Sequence, residues 1–184
     1  MAFLTLHTAS ELDARVAKVE LLLLDVDGVL TDGSITYSDS GEELKRFHVR
    51  DGAGVKLWTA AGKRVAIVSG RSSPSVIRRA SELGITTILQ GQEDKVKALA
   101  EVLAETGLVE DQVCAIGDDL PDLPVLKRVG VPVAVADAAT EVRLTAQFVT
   151  IQPGGHGAVR ETIEWLLKRQ GRWDDVIRRF QPAG

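Results

Sequence analysis

Two aspartates one residue apart, Asp25 and Asp27, end the apolar run Leu21-Leu22-Leu23-Leu24, and Gly28 follows them. Four leucines in succession read as a strand buried on both faces, the pattern of a parallel sheet covered by helices. Ionised groups are expensive there unless they are paired or hold a metal. In an open α/β sheet, ligands collect outside the carboxyl ends of the strands. With a single residue between them, the two carboxylates leave the strand on the same side, and Gly28 permits a sharp turn behind them. The spacing predicts a cation site with a nucleophile in it.

Three further groups stand at similar places downstream. Ser69 closes the apolar run Val65-Ala66-Ile67-Val68 and precedes Gly70-Arg71; Lys95 opens a helical pattern; Asp118 and Asp119 stand in Gly117-Asp118-Asp119-Leu120-Pro121-Asp122. Each alone has an ordinary explanation. Asp27-Gly28 suits a turn, Ser69-Gly70 and Gly117-Asp118 suit strand-to-helix caps, Lys95 suits a solvated helix face, and Asp122 suits the first turn of a helix. Capping does not require one doubled acid at the end of a buried strand and another far downstream, so the joint pattern points to chemistry.

The elements that must position these groups alternate along the chain. Strand-like runs cover Leu21 to Asp25, Arg64 to Ser69, Thr86 to Leu89, Gln112 to Gly117 and Val131 to Ala136, with a last one at Gln147 to Ile151. Helical patterns lie between them: Val55 to Ala61 before Gly62, Ser73-Pro74 to Leu83 before Gly84, Asp94 to Thr106 before Gly107, and Leu120 to Val129 before Gly130. Ser10 and Glu11 are placed to begin a helix before the first strand. This alternation predicts an α/β fold with a Rossmann-like, doubly wound and mostly parallel sheet. The interval 32–49 breaks the rhythm, since Ser34 to Tyr37 and Glu43 to His48 alternate with period two around Asp39-Ser40-Gly41. It reads as a small β-hairpin flap inserted after the first strand, with no second insertion large enough for a substantial lid. A helix over Ala158 to Arg169 and a C-terminal tail over about 171–184, apolar at helical spacing, complete one domain over residues 1–184.

Composition narrows the classes further. A chain of 184 residues, 45% hydrophobic and 26% charged, buries a proper core without staples. Its one cysteine, Cys114, lies in an apolar run and reads as a buried inert thiol. A net charge of −4 with scattered Lys and Arg leaves no footprint for nucleic acid, and no apolar run approaches the roughly 20 residues that span a bilayer. A cytoplasmic protein with no membrane association is expected.

In this order, the Asp-x-Asp of Asp25-Val26-Asp27-Gly28-Val29-Leu30-Thr31, Ser69 at a strand end, Lys95, and the acid pair Asp118-Asp119 resemble the motifs of the haloacid dehalogenase superfamily of phosphotransferases. Three longer stretches, Gly41 to Gly52, Gln90 to Lys95 and Gly154-Gly155-His156-Gly157 to Glu161, resemble the 3-deoxy-D-manno-octulosonate 8-phosphate phosphatases. The likeness covers nearly the whole chain. It implies hydrolysis of a sugar-acid phosphate through an aspartyl-phosphate, with Mg2+ as cofactor. Asp25 is then the nucleophile, Asp25 and Asp118 hold the metal by side-chain oxygens, and Asp27 adds its main-chain carbonyl. The Asp27 side chain protonates the leaving alkoxide and later deprotonates water. Ser69 and Lys95 face the transferred phosphoryl oxygens, and Asp119 orients metal-bound water or Lys95.

Thr31, Arg50, Gly70 and Arg71 are the expected substrate contacts, Arg71 foremost. Arg50 could reach the sugar or pair with Asp51; Arg160 lies in a similar motif, and His156 is given a loop role. The family lacks a full cap domain and forms homotetramers in which a neighbouring subunit helps cover each site, so the same is expected here, with the tail on its own or a neighbour's site. Two alternatives stay open: a phosphatase of nine-carbon sugar-acid 9-phosphates, and a noncatalytic oligomerisation module. The second predicts losses at the nucleophile, acid/base or lysine positions, and none is lost.

Overall fold

The computed structural model of the chain describes residues 9–180. Six of the apolar runs form one sheet: β1 (Leu21–Leu24), β4 (Arg64–Val68), β5 (Thr87–Leu89), β6 (Val113–Gly117), β7 (Val131–Ala134) and β8 (Phe148–Val149). Their order is β5-β4-β1-β6-β7-β8, and every pairing is parallel. The four leucines of β1 pair with β4 on one side and β6 on the other, which explains their complete burial and the run of apolar residues without alternation. The chain first winds outward from β1 to β4 and β5, then returns past β1 to β6, so the connections diverge at β1. Two short strands, β2 (Thr36–Tyr37) and β3 (Glu43–Leu44), pair antiparallel as the inserted hairpin.

Two helical layers cover the sheet. One contains α1 (Ala9–Ala17), α2 (Val49–Ala60), α7 (Ala158–Arg169) and α8 (Trp173–Arg178); the other contains α4 (Lys95–Thr106), α5 (Leu123–Leu126) and α6 (Thr140–Thr145), while α3 (Pro74–Leu83) packs beside α2. Pro74 opens α3, and Gly84 closes it in the left-handed conformation. The Asp94 carboxylate accepts from the amides of Val96 and Lys97 at 3.0 Å and so fixes the start of α4, the turn that carries Lys95. Trp58 lies fully in the core and still donates its indole N–H to the Arg64 carbonyl at 2.8 Å. Phe148 stacks on Trp165 with ring centres 4.4 Å apart, tying β8 to α7. Cys114 is buried in β6, and burial pushes its thiol far above the usual range, which agrees with an inert core residue. Among the described residues, no helix is long and apolar enough to cross a membrane.

The doubly wound sheet and the inserted hairpin agree with the sequence, and among the described residues no second inserted lid is present, with differences at the edges. The helix expected from Val55 begins at Val49, because Gly52 and Gly54 lower helix propensity yet serve close packing. A side chain at Gly54 would come within 3.1 Å of the Arg160 backbone. The helix expected over Leu120 to Val129 is a 3₁₀ turn at Leu120–Asp122 followed by the four residues of α5, since Pro121 and Pro124 each lack an amide to continue a ladder. Several strands end one or two residues early, the last spans only Phe148–Val149, and the hairpin pairs only two residues per strand. Helix α6 was not expected at all. The N-terminal helix forms as α1, and α8 accounts for the start of the tail, whose residues 181–184 lie outside the described residues.

Candidate active site

Asp25 follows the last residue of β1, and its amide still reaches the Ile116 carbonyl of β6 at 3.4 Å. The backbone then turns: the amides of Val29, Leu30 and Thr31 all point at the Val26 carbonyl, at 3.3, 2.9 and 3.0 Å. Gly28 adopts φ +92°, and a Cβ there would lie 2.0 Å from the Asp118 carboxylate, so both backbone freedom and the missing side chain are needed. The segment Gly154-Gly155 braces this turn from outside. Gly155 donates to the Val29 carbonyl at 2.9 Å, and a Cβ on Gly154 would fall 1.7 Å from the Gly28 carbonyl oxygen.

The carboxyl end of the sheet gathers the expected groups from four separate places. Carboxylate oxygens of Asp25, Asp118 and Asp122 lie within 4.8 Å of one another. Lys95 Nζ donates to Asp25 at 2.9 Å and to Asp122 at 2.5 Å. Asp122 has its other oxygen occupied as well, accepting from the amides of Asp118 at 3.0 Å and Asp119 at 3.4 Å. Asp122 is therefore fully engaged in positioning Lys95 and the Asp118-Asp119 backbone, which leaves Asp25 and Asp118 to present oxygens outward. Of the two roles expected of Asp119, orienting metal-bound water or Lys95, the contact to Lys95 is made by Asp122. The sequence offers Asp122 only as an acid of a first helical turn; its place one turn after Asp118, behind Pro121, was the available signal for the larger role.

The electrostatics of this cluster suit a cation. Burial, then the charges of Asp25 and Asp122, push Asp118 up to about 8. Burial raises Asp25 to about 6 even though Lys95 pulls it down. Burial alone would depress Lys95, but Asp25 and Asp122 outweigh it and hold the ammonium above its usual range. Two carboxyl groups raised chiefly by burial, with the Asp122 charge adding to both, ionise more readily beside a positive charge, and an all-oxygen donor set fits a hard divalent ion.

The Asp27 carboxylate stands outside that trio and faces the hairpin. Lys45 Nζ, on a side chain 2% exposed, donates to Asp27 Oδ1 and lies 2.9 Å from Glu43 Oε1. Burial would lower Lys45, and the hydrogen bonds to Asp27 and Glu43 reverse this and raise it. Arg71 Nη2 donates to Glu43 Oε2 at 2.5 Å, and its Nε lies 3.7 Å from Asp27 Oδ2. The sequence reading missed Glu43 and Lys45. They are two residues apart in the period-two run that opens with β3, hence on one face of the hairpin, and that shared face was the signal.

Ser69 is buried at the end of β4, where its Oγ accepts from the Arg71 amide at 3.3 Å; Gly70 beside it is exposed. Thr31, expected among the substrate contacts, is buried instead. Its hydroxyl accepts from Gly33 at 3.2 Å and Gly28 at 3.4 Å, so it organises the turn. Arg50 is carried into the first turn of α2 and, with Arg160 and His156, lines a cleft of about 540 Å³ that contains none of the catalytic residues. Asp51 does not pair with Arg50. It is buried and accepts from the amides of Arg160 at 2.8 Å and Gly157 at 3.2 Å, at the start of α7. Arg160 pairs with Glu164 at 2.7 Å, and the His156 ring contacts the Gly154 carbonyl at 2.8 Å within its loop.

Residues 81–161 match the family of haloacid dehalogenase-like hydrolases. The chain is 43% identical over 168 residues to the 3-deoxy-D-manno-octulosonate 8-phosphate phosphatase of Escherichia coli strain K12, covering 91% of this chain and 89% of that one. The crystal structure of the phosphatase of that name from Moraxella catarrhalis, in complex with magnesium ion, phosphate ion and KDO, superposes with a TM-score of 0.91 at 40% identity. It covers 95% of this chain and all (100%) of that one. The Yersinia pestis enzyme of the same name gives a TM-score of 0.88 at 44% identity, over 91% and 90% of the two chains. An aspartate cluster closed by Lys95 at the carboxyl end of a doubly wound sheet, with relatives this similar over this much of their length, places the chain in the 3-deoxy-D-manno-octulosonate 8-phosphate phosphatase family of haloacid dehalogenase-like hydrolases.

Proposed function

We propose that this chain hydrolyses 3-deoxy-D-manno-octulosonate 8-phosphate to the free sugar acid and phosphate, a step in making the inner-core sugar of lipopolysaccharide. The observation that carries the reading is the convergence of Asp25, Lys95, Asp118 and Asp122 within hydrogen-bond or ligand distance. Mg2+ is the cofactor; Asp25, Asp118 and the Asp27 carbonyl would hold it, and it would neutralise the repulsion between carboxylate and phosphate. Asp25 attacks phosphorus and displaces the sugar oxygen, which takes a proton from Asp27. Water then attacks the aspartyl-phosphate, gives its proton to Asp27 and frees Asp25. Lys95, anchored between Asp25 and Asp122, offers its remaining donor to a phosphoryl oxygen, and Ser69 offers its hydroxyl. Arg71, 44% exposed on its side chain, remains the substrate contact best placed beside Asp27.

We read residues 1–184 as one domain with a hairpin flap, cytoplasmic and homotetrameric, with a neighbouring subunit completing the site. Three exposed apolar side chains on the hairpin, Ile35, Tyr37 and Leu44, support burial against a partner, and a free buried thiol suits a reducing compartment. Phosphate release from the octulosonate 8-phosphate, from nine-carbon sugar-acid 9-phosphates, from other sugar phosphates and from nucleotides, each with and without Mg2+, tests the substrate. Preference for the first, dependent on Mg2+, is the expected result; inactivity on all would leave an assembly module. Light scattering after gel filtration tests the tetramer.

A further inference from the structure

The hairpin reaches the acid/base residue and leaves its two oxygens in different states. Asp27 Oδ1 accepts from Lys45, while Oδ2 is buried with no hydrogen-bond partner and lies 3.7 Å from Arg71 Nε. Lys45 is itself fixed by Glu43 at 2.9 Å, and Glu43 is fixed by Arg71 at 2.5 Å. Four side chains of alternating charge thus form a ring, two from the hairpin and two from the ends of β1 and β4. An unpaired buried carboxylate oxygen is costly and rarely left so without a purpose.

We propose that Lys45 is a positioning residue for the phosphoryl-transfer reaction: by holding Asp27 Oδ1, it fixes the carboxyl rotamer and assigns proton exchange to Oδ2. The proposal rests on the acid/base reading of Asp27. In the first half-reaction the Asp25 oxygen bonds to phosphorus, the ester P–O bond breaks, and the ester oxygen takes the proton from Oδ2. In the second, water bonds to phosphorus, its proton passes to Oδ2, and the bond between phosphorus and Asp25 breaks. Lys45 keeps its own protons throughout. The hairpin is then part of the catalytic geometry as well as a cover, and Glu43 balances the charge that the buried Lys45 brings beside Asp27.

A leaving-group comparison on the full chain with saturating Mg2+ tests this. An alkyl ester such as the octulosonate 8-phosphate needs a proton on its departing oxygen, whereas para-nitrophenyl phosphate does not. Lys45→Met should lower kcat/KM for the alkyl ester about ten- to hundredfold, the scale of a misplaced catalytic group, with the aryl ester changed less than about threefold. Lys45→Arg should restore much of the loss. The double variant Glu43→Gln with Lys45→Met removes both charges, guards against misfolding caused by a stranded Glu43, and should show the same selective loss. Equal losses on both esters, no loss, or a rise in KM at constant kcat would overturn the proposal. A wild-type chain that cleaved other alkyl phosphates and spared the octulosonate ester would overturn the substrate reading alone, with the Lys45 comparison then made on those esters. A chain that cleaved no phosphate ester would overturn both.

Discussion

Asp118 occupies the space that a side chain on Gly28 would fill: the two are so close that a Cβ would sit 2.0 Å from a carboxylate oxygen. The turn after β1 and the loop after β6 are therefore fitted to each other. Gly28→Ala should displace Asp118 and strain a residue at φ +92°, and Mg2+ affinity should fall about 10- to 100-fold. Magnesium titration of turnover checks this; unchanged affinity would show that Asp118 has room to spare.

Asp122 uses both oxygens as acceptors, from Lys95 on one side and from the Asp118 and Asp119 amides on the other. Asparagine can replace only one of these, because its NH2 would face a donor. Asp122→Asn should reduce kcat about 10- to 100-fold, with a well-folded protein by circular dichroism.

Stability without metal should run against the usual trend with pH. Asp118 stands at about 8 and Asp25 at about 6 in the folded chain, both raised chiefly by burial from the ordinary 3.8. Raised acids bind protons more tightly in the folded state, so their contribution is present at low pH and is lost as pH rises through those values. In a chelator, the melting temperature should fall from pH 5 to pH 8, and added Mg2+ should raise it most at the upper end. A metal-free melting temperature that climbs steadily over that interval would refute the carboxyl cluster as described.

Asp51 joins α2 to α7 by accepting two backbone amides at the start of α7, and burial holds its carboxyl above the ordinary range despite them. Asp51→Ala would strand those amides, and unfolding in urea should show a loss of about 1–3 kcal/mol. Asp51→Asn, which keeps an acceptor, should recover part of it.

The residues that could be read from the sequence are those whose type conflicts with their surroundings. Acids after Leu24 and after Gly117 stand out against apolar strands, and Gly84 and Gly107 mark helix ends because only glycine turns left-handed cheaply there. What residue type alone did not reveal was of the opposite kind. Gly52 and Gly54 resemble loop residues, yet they let α2 approach its neighbours, and Asp122 and Lys45 resemble surface charges until the fold buries them. Thr31 and Arg50 sit in the expected motifs, but local backbone demands draw one into the turn and the other onto a helix.

The isolation of Cys114 within β6 has a practical corollary. A cysteine substituted for Ser40, at the exposed tip of the hairpin, would be the only sulfhydryl within reach of a maleimide dye. Fluorescence from that single label would report on the surroundings of the hairpin tip as substrate or a second subunit is added, with no need to strip native thiols from the protein first.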